Sequence, residues 1–174
     1  MKPLHIKKTL ILLSTITLSN VSGQPSVARF DASCGLVNKD IYCFGGVPAV
    51  GDNTLADNTT IMIDLSICNG YRAEEIKDRW YTETPNTDGV VYQPRSHSQS
   101  IALPDKHRFL LSGGFNQVRP GYIADQTIVY DVFTGKWSKY ANFVDGSFGN
   151  RQIYYASTVY VPDVGFGFYG GFEQ

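Results

Sequence analysis

Short apolar runs broken by turn residues fill most of this chain, and three of these runs end in a pair of glycines. They cover residues 41–46, 108–114 and 167–171. β-Branched and aromatic residues favour strands, whereas Gly, Pro, Asn and Asp favour turns. Self-similarity at a spacing of tens of residues is typical of propellers and solenoids. The pattern therefore predicts an all-β repeat protein in which one strand of each copy runs into a diglycine.

A turn precedes each of these strands. In the first copy, Asn-Lys-Asp at 38–40 separates the apolar segments 34–37 and 41–44. Pro-Asp takes the same place in the other two copies, at 104–105 and 162–163. Each copy should therefore open with a β-hairpin whose second strand reaches the diglycine.

A second pair of strands is predicted after the diglycine in the first two copies. The apolar runs 61–65 and 128–132 are each followed by a tryptophan, Trp80 and Trp137. The first copy is longer because of residues 68–78, a polar stretch that we expect to form a surface insertion. One tryptophan per copy can cover a large apolar area between neighbouring sheets.

The order of hydrophobic strand, diglycine, Tyr-Asp and Trp resembles the kelch repeat, in which each copy forms one blade of a β-propeller. The second copy matches this order best, and the first copy departs from it with Ile63 in place of the tyrosine. The resemblance implies that the following residues maintain the repeat: Gly45, Gly46, Gly113, Gly114, Gly170, Gly171, Tyr130, Asp131, Trp80 and Trp137.

The resemblance implies a partial kelch-type β-propeller of about two and a half four-stranded blades over residues 24–174. The blades should span residues 29–81, 93–140 and, incompletely, 148–174. A closed propeller typically needs four to eight blades. We therefore expect a truncated product whose further blades belong to a longer chain, and the alternative is that several chains assemble into a ring.

Residues 1–23 have the features of a secretory signal peptide. Lys2, Lys7 and Lys8 precede the uncharged apolar stretch 9–18, and small residues follow at 21–23. A membrane anchor is the alternative, but the apolar stretch is shorter than the ~20 residues that span a bilayer. We expect a secreted protein with no transmembrane segment in the mature chain. A missing C-terminal region could supply a cell-surface tether.

The three cysteines all lie in the first copy. In an oxidising compartment at least two of them should pair. Cys34 and Cys43 lie on the two arms of the first predicted hairpin and are the leading candidates for a disulfide, with a Cys43–Cys68 bond as the alternative. Asn58 begins an Asn-Thr-Thr sequon and is a candidate for glycosylation.

Charge and motifs exclude several functional classes. Fifteen basic and sixteen acidic residues give a net charge of −1, with no basic block that would suit a nucleic acid. No Gly-rich phosphate loop occurs, and the cysteines and histidines lack zinc-ligand spacing. His97 and His107 should lie at opposite ends of a strand, too far apart to share a metal. We expect no cofactor and no catalysis from this chain.

The leading functional hypothesis is a non-catalytic interaction module that binds a protein or a glycan through loops at the blade ends. Loop surfaces usually carry binding, and the loops after the first two diglycines should gather at one end. Phe115, Arg119 and Tyr122 are the candidate contact residues, since exposed aromatic and arginine side chains are favoured at interfaces. The alternative is the N-terminal part of a galactose-oxidase-like copper enzyme whose metal ligands lie beyond residue 174.

Two further sets of residues are candidates for ligand binding. Arg29, Arg95 and Arg151 recur at the start of each copy, where they either face an anionic ligand or hold carbonyls and carboxylates of the adjoining blade. Six tyrosines lie near predicted loops or strand ends, where they either pack between blades or contact a protein or sugar: Tyr81, Tyr92, Tyr122, Tyr140, Tyr154 and Tyr155.

Overall fold

The computed structural model describes residues 28–49, 55–67, 70–83, 92–117, 122–141, 144–145, 149–150 and 152–173. The predicted signal peptide lies outside these residues, as do Cys68, Arg119 and Arg151. No helix among the described residues has the length and hydrophobicity needed to cross a membrane.

Antiparallel strands account for 49% of the structure and helices for 7%, which confirms the all-β prediction. In chain order they are β1 (Arg29–Phe30), β2 (Ser33–Val37), β3 (Asp40–Phe44), β4 (Val47–Pro48), β5 (Thr60–Asp64), β6 (Tyr81–Glu83), β7 (Gln99–Ala102), β8 (Arg108–Ser112), β9 (Thr127–Asp131), β10 (Lys136–Lys139), β11 (Val144–Asp145), β12 (Gly149–Asn150), β13 (Ile153–Tyr154), β14 (Ser157–Val161), β15 (Gly165–Tyr169) and β16 (Phe172–Glu173).

Two four-stranded sheets and one hairpin form the body. The first sheet has the strand order β2-β3-β5-β6, and the second sheet has the order β7-β8-β9-β10. Strands β14 and β15 form the third hairpin. The predicted insertion of the first copy contains a short helix, α1 (Ala73–Ile76), between β5 and β6. None of the sheets among the described residues is closed, so the structure supports the all-β class, and the blades of a partial propeller stay a prediction.

The three hairpins share one register. Ser33 pairs with Phe44 in the first, Gln99 with Ser112 in the second and Ser157 with Tyr169 in the third. In each case the second partner is the residue that directly precedes the diglycine. A one-residue slip would move every side chain to the other face of its sheet. Equal register therefore gives the three hairpins equivalent faces.

The second sheet packs between the other two units through alternate residues of each strand. Phe109 and Leu111 of β8 lie in an apolar cluster with Tyr42 and Phe44 of the first sheet. Leu110, the residue between them, lies in a second cluster that includes Phe166 of the third hairpin. The period-2 alternation of a strand thus places apolar side chains on both faces of this sheet.

Trp137 of β10 occupies the contact between the first and second sheets. Its ring lies 4.8 Å from that of Phe44, 5.4 Å from that of Phe109 and 4.9 Å from that of Tyr130. Its indole N–H donates to the Thr60 hydroxyl at 3.2 Å. The predicted role of this tryptophan, packing between neighbouring sheets, agrees with these contacts.

Backbone bonds at the diglycines join each unit to the next. The Gly46 N–H donates to the Arg95 carbonyl at 2.9 Å, and the Gly114 N–H donates to the Ile153 carbonyl at 2.8 Å. A Cβ on Gly113, which has φ of +63°, would overlap the Ile153 carbonyl oxygen. Both the positive φ and the close approach of a second backbone require glycine here.

The third-copy residue that corresponds to Arg95 is not the one that the sequence-based alignment predicted. Arg95 and Ile153 provide the carbonyls that the first two diglycines bind, so Ile153 is the third-copy counterpart of Arg95. The prediction that Arg151 takes this position is therefore wrong, because the register places it two residues earlier.

We expect Gly113→Ala to destabilise the fold more than Gly70→Ala. Gly70 also has a positive φ, +80°, but nothing among the described residues lies within 4 Å of its added Cβ. Both variants should lose about 1 kcal/mol from the left-handed backbone. Gly113→Ala should lose about 1–3 kcal/mol more from overpacking. Urea unfolding measures both, and equal losses would contradict the role assigned to the close approach.

Trp137→Ala should lower the free energy of unfolding by about 3–5 kcal/mol, because it empties the contact between two sheets. Phe133→Ala is the matched control, since the Phe133 side chain is 80% exposed and should contribute little. Thermal or urea denaturation of both variants tests this, and an unchanged midpoint for Trp137→Ala would rule out its packing role.

Candidate binding surface

The residues just before the first strand of each hairpin line up at the diglycine end of the molecule. They are Asp31, His97 and Tyr155, with φ of 58°, 58° and 61°. The His97 N–H donates to the Asp31 carbonyl at 3.0 Å, and the Tyr155 N–H donates to the His97 carbonyl at 3.1 Å. Left-handed conformations of non-glycine residues are uncommon and cluster at functional sites. This backbone ladder brings three chemically different side chains into one row.

A second set of pairings brings aromatic residues beside this row. After each diglycine the chain pairs with the segment before β2, β7 or β14: Val47 with Phe30, Phe115 with Ser96 and Phe172 with Tyr154. The second and third pairings therefore place Phe115 and Phe172 next to His97 and Tyr155.

The rings form a connected group, which we call the aromatic cluster: Phe115, Tyr154, Tyr155, Phe172 and His97. Ring centroids are 5.6 Å apart for Phe115 and Tyr154, 5.7 Å for Tyr154 and Tyr155, 5.8 Å for Tyr154 and Phe172, and 3.9 Å for His97 and Tyr155. Tyr155 is 57% exposed and Phe172 is 64% exposed. Their mutual contacts hold the rings in place while much of their area faces solvent.

Polar groups fix the imidazole at the edge of the aromatic cluster. His97 Nε2 lies 2.9 Å from Asp31 Oδ2, and its Nδ1 lies 2.8 Å from Ser96 Oγ. The order carboxylate, imidazole, hydroxyl is that of a hydrolytic triad. Ser96, however, is fully buried, and its hydroxyl also lies 3.4 Å from the Phe115 carbonyl. The serine therefore orients the histidine and is not reachable as a nucleophile.

A second group of titratable side chains lies between the first and second sheets. The Tyr130 hydroxyl lies 3.4 Å from Glu83 Oε1. Burial raises the pKa of Glu83 and of Tyr130 above their ordinary values, and it raises the pKa of Tyr81 to about 12. Burial, together with the nearby Asp64 carboxylate, also raises the pKa of Asp40. All these shifts follow mainly from desolvation, which disfavours the charged forms.

The candidate contact residues of the loop after the second diglycine separate in the structure. Phe115 is half-buried within the aromatic cluster. Tyr122 is 48% exposed, and its carbonyl accepts a long hydrogen bond of 3.4 Å from Gln93 Nε2. Arg119 lies outside the described residues. One of the three candidates thus belongs to the candidate binding surface.

Asp31 and Phe172 are not among the sequence-based candidates for binding, and the sequence suggests His97 only as a possible metal ligand. A count from the strand starts could have found the row, since Asp31, His97 and Tyr155 each stand two residues before the first strand of their hairpin. The aromatic residue after the diglycine is a second such position. The sequence alone does not mark either position as functional, because only the pairings between distant strands bring these residues together.

The recurring arginines are structural in the two copies that the structure describes. Arg95 is 1% exposed, and its guanidinium donates to the carbonyls of Asp125 at 2.7 Å and Gln126 at 3.0 Å. Arg29 donates to the Gly45 carbonyl at 2.8 Å and pairs with Asp57 at 2.7 Å. Burial lowers the pKa of Arg95 to about 10. Each guanidinium binds groups of its own copy. The sequence-based prediction of a structural role had instead placed its partners in the adjoining blade.

The structure also places the predicted disulfide, the glycosylation candidate and the repeated aspartate. A disulfide joins Cys34 and Cys43, which are paired across β2 and β3. Asn58 is exposed, and its side-chain amide donates to the Tyr92 carbonyl at 3.0 Å; its glycosylation stays a prediction. Asp131 Oδ1 accepts from the N–H groups of Phe133 and Thr134 and so closes the turn after β9. These contacts explain the repeat of the aspartate without a ligand.

The two histidines lie at opposite ends of the second sheet, as predicted. His107 is at the turn before β8, beside Asp105, and its ring stacks on Phe133 at 5.1 Å. Among the described residues, no three His, Cys, Asp or Glu side chains are grouped closely enough to hold a metal ion.

An open cavity of about 590 Å³ lies on the outer face of the first sheet, over the disulfide. Trp80, the counterpart of Trp137, forms one wall of it, and the helix-containing insertion closes one side. The lining residues are Ala28, Arg29, Asp31, Ala32, Cys34, Cys43, Ile61, Lys77, Asp78 and Trp80.

Comparison of the chain with models of known protein families gave no match, and neither did comparison with curated protein sequences.

Glu83→Gln should stabilise the protein at neutral pH. The folded state raises the Glu83 pKa above 4.5, so the wild-type protein loses stability as pH rises from about 4.5 through the folded pKa, and the neutral amide removes this loss. The gain should be small, because the side chain is partly exposed and screened by solvent. Unfolding at pH 4 and pH 7 measures it, with the exposed Glu74→Gln as control. A gain at pH 4 equal to that at pH 7 would contradict this assignment.

Proposed function

We propose that this protein is a secreted, non-catalytic interaction module of the kelch-repeat type, which binds a protein or a glycan at its diglycine end. The exposed aromatic cluster is the observation that supports this most directly. It combines two rings more than half exposed, Tyr155 and Phe172, with the Asp31–His97 pair. Amphipathic rings beside a few fixed polar groups are typical of binding surfaces.

The rigidity of this surface supports binding. Tyr154 contacts three other rings of the aromatic cluster, and His97 is held on both ring nitrogens. Aromatic side chains that are already ordered lose little conformational entropy when a ligand arrives, so more of the contact energy appears as affinity. Such residues are often the hot spots of an interface.

Two further observations are consistent with an extracellular kelch-type repeat. The Cys34–Cys43 disulfide fits an oxidising compartment, and residues 1–23, which resemble a signal peptide, would direct the chain to one. The three hairpins share one register, and each of the first two diglycines contacts the next unit, which fits a propeller built from equivalent blades. Function cannot follow from such a fold alone, so the proposal depends on the aromatic cluster.

We expect Tyr155→Ala and Phe172→Ala to weaken ligand binding by about tenfold each, which is about 1.4 kcal/mol of lost interface contacts. The probes are an array of immobilised oligosaccharides and an array of purified extracellular proteins. Hits of the wild-type protein are then measured with the variants by biolayer interferometry.

Phe133→Ala is the matched control for this experiment. Phe133 is also an exposed aromatic residue stacked on a histidine, but it lies at the opposite end of the second sheet. The proposal requires this variant to bind normally. If all three variants bind alike, the aromatic cluster is not the binding surface.

A further inference from the structure

The third hairpin exposes the face that its two counterparts bury. On the equivalent faces, Val37 and Phe44 of the first hairpin are covered by the second sheet, and Leu103 and Leu110 of the second sheet are covered by the third hairpin. On the third hairpin the same face carries Val159, Val161 and Tyr169, which are 55%, 40% and 85% exposed. We call these three residues the tail face.

The third diglycine also has the geometry of this contact, but the described residues supply no partner for it. Gly170 and Gly171 have φ of 75° and 88°, close to those of the first diglycine. A Cβ on Gly45 or Gly113 would overlap a carbonyl of the next unit, whereas nothing among the described residues lies within 4 Å of a Cβ on Gly170.

The first sheet carries the complementary face. Leu36 and Cys34 of β2 point away from the second sheet, and Leu36 is 56% exposed. Their counterparts by register, Ala102 and Ser100, face the preceding sheet: Ala102 packs on its apolar cluster and Ser100 donates to the Cys34 carbonyl. We call the outward surface formed by Leu36, Cys34 and Trp80 the head face. The open cavity lies within it.

We propose that the tail face of one molecule docks on the head face of a second copy, in a head-to-tail arrangement that repeats the contacts between the units within the chain. A matched aromatic pair supports this arrangement most directly. Phe44 packs on Trp137 at 4.8 Å in the contact between the first and second sheets. Tyr169 is the counterpart of Phe44, and Trp80 is the counterpart of Trp137.

The cavity fits this pairing. It lies beside Trp80 and is also lined by Arg29, the counterpart of the residues whose carbonyls the first two diglycines bind. Tyr169 of one copy enters the cavity while its diglycine meets Arg29 of the other. Head-to-tail contacts form a ring when the rotation closes. The described residues contain three such hairpins, so two copies bring six, which lies within the four to eight blades of a closed propeller, and we expect a closed dimer of this chain.

Light scattering coupled to size exclusion, over a concentration series, tests the proposal on the full chain. The wild-type protein should show twice the mass of one chain. Val159→Asp should break the tail face, and Leu36→Asp should break the head face, so each variant alone should show the mass of one chain. Both positions are exposed, so folding should be preserved, and circular dichroism checks this. Val164→Asp, at the 84% exposed turn of the third hairpin, is the control that should remain dimeric.

Mixing the two broken variants distinguishes the arrangement. Leu36 of the Val159→Asp variant is intact, and so is Val159 of the Leu36→Asp variant, so one head-to-tail contact can form and the double mass should return. If the mixture stays at the mass of one chain, the copies do not pack head to tail. If Leu36→Asp alone keeps the double mass while Val159→Asp loses it, two tail faces meet each other instead. A wild-type protein with the mass of one chain at every concentration would overturn the proposal entirely.

Discussion

The contact between a diglycine and the backbone of the next unit is the constraint on which the rest of this structure depends. At Gly46 and again at Gly114, an amide of one unit donates to a carbonyl of the next. The neighbouring glycine lets this carbonyl approach to a distance that no side chain would allow. Because the bond joins backbones, it fixes the relative position of whole hairpins, and the side chains between them then have a defined space to fill.

The packing between units follows from that fixed geometry. Phe109 and Leu111 face one neighbour of the second sheet, and Leu110 faces the other. The fixed distance suits large rings, and Trp137 fills the gap between the first and second sheets with four aromatic neighbours. Buried Arg95 supports the same frame, because it binds the carbonyls beside the second diglycine and so satisfies backbone groups that would otherwise be buried without partners.

The same constraint produces both surfaces to which we assign interactions. Holding the hairpins in one register places Asp31, His97 and Tyr155 in a row, and the pairing after each diglycine sets Phe115 and Phe172 beside them. It also leaves the third hairpin with an apolar face and a diglycine whose geometry matches the buried contacts. Exposed apolar faces of this kind mark sites of association. The two proposed interactions use neighbouring parts of one repeated design, with Asp31 both paired with His97 and lining the cavity.

The sequence by itself determined the strands, the turns and the repeat, because alternating apolar residues, Pro-Asp turns and diglycines act locally. It also indicated the Cys34–Cys43 disulfide, since both cysteines stand on one short hairpin. Only the tertiary structure decided that Ile153, not Arg151, is the counterpart of Arg95, and that the serine beside His97 is buried. The row of Asp31, His97 and Tyr155 joins residues far apart in the chain. Its existence depends on which backbones meet at the diglycines, and local propensities carry no information about that meeting.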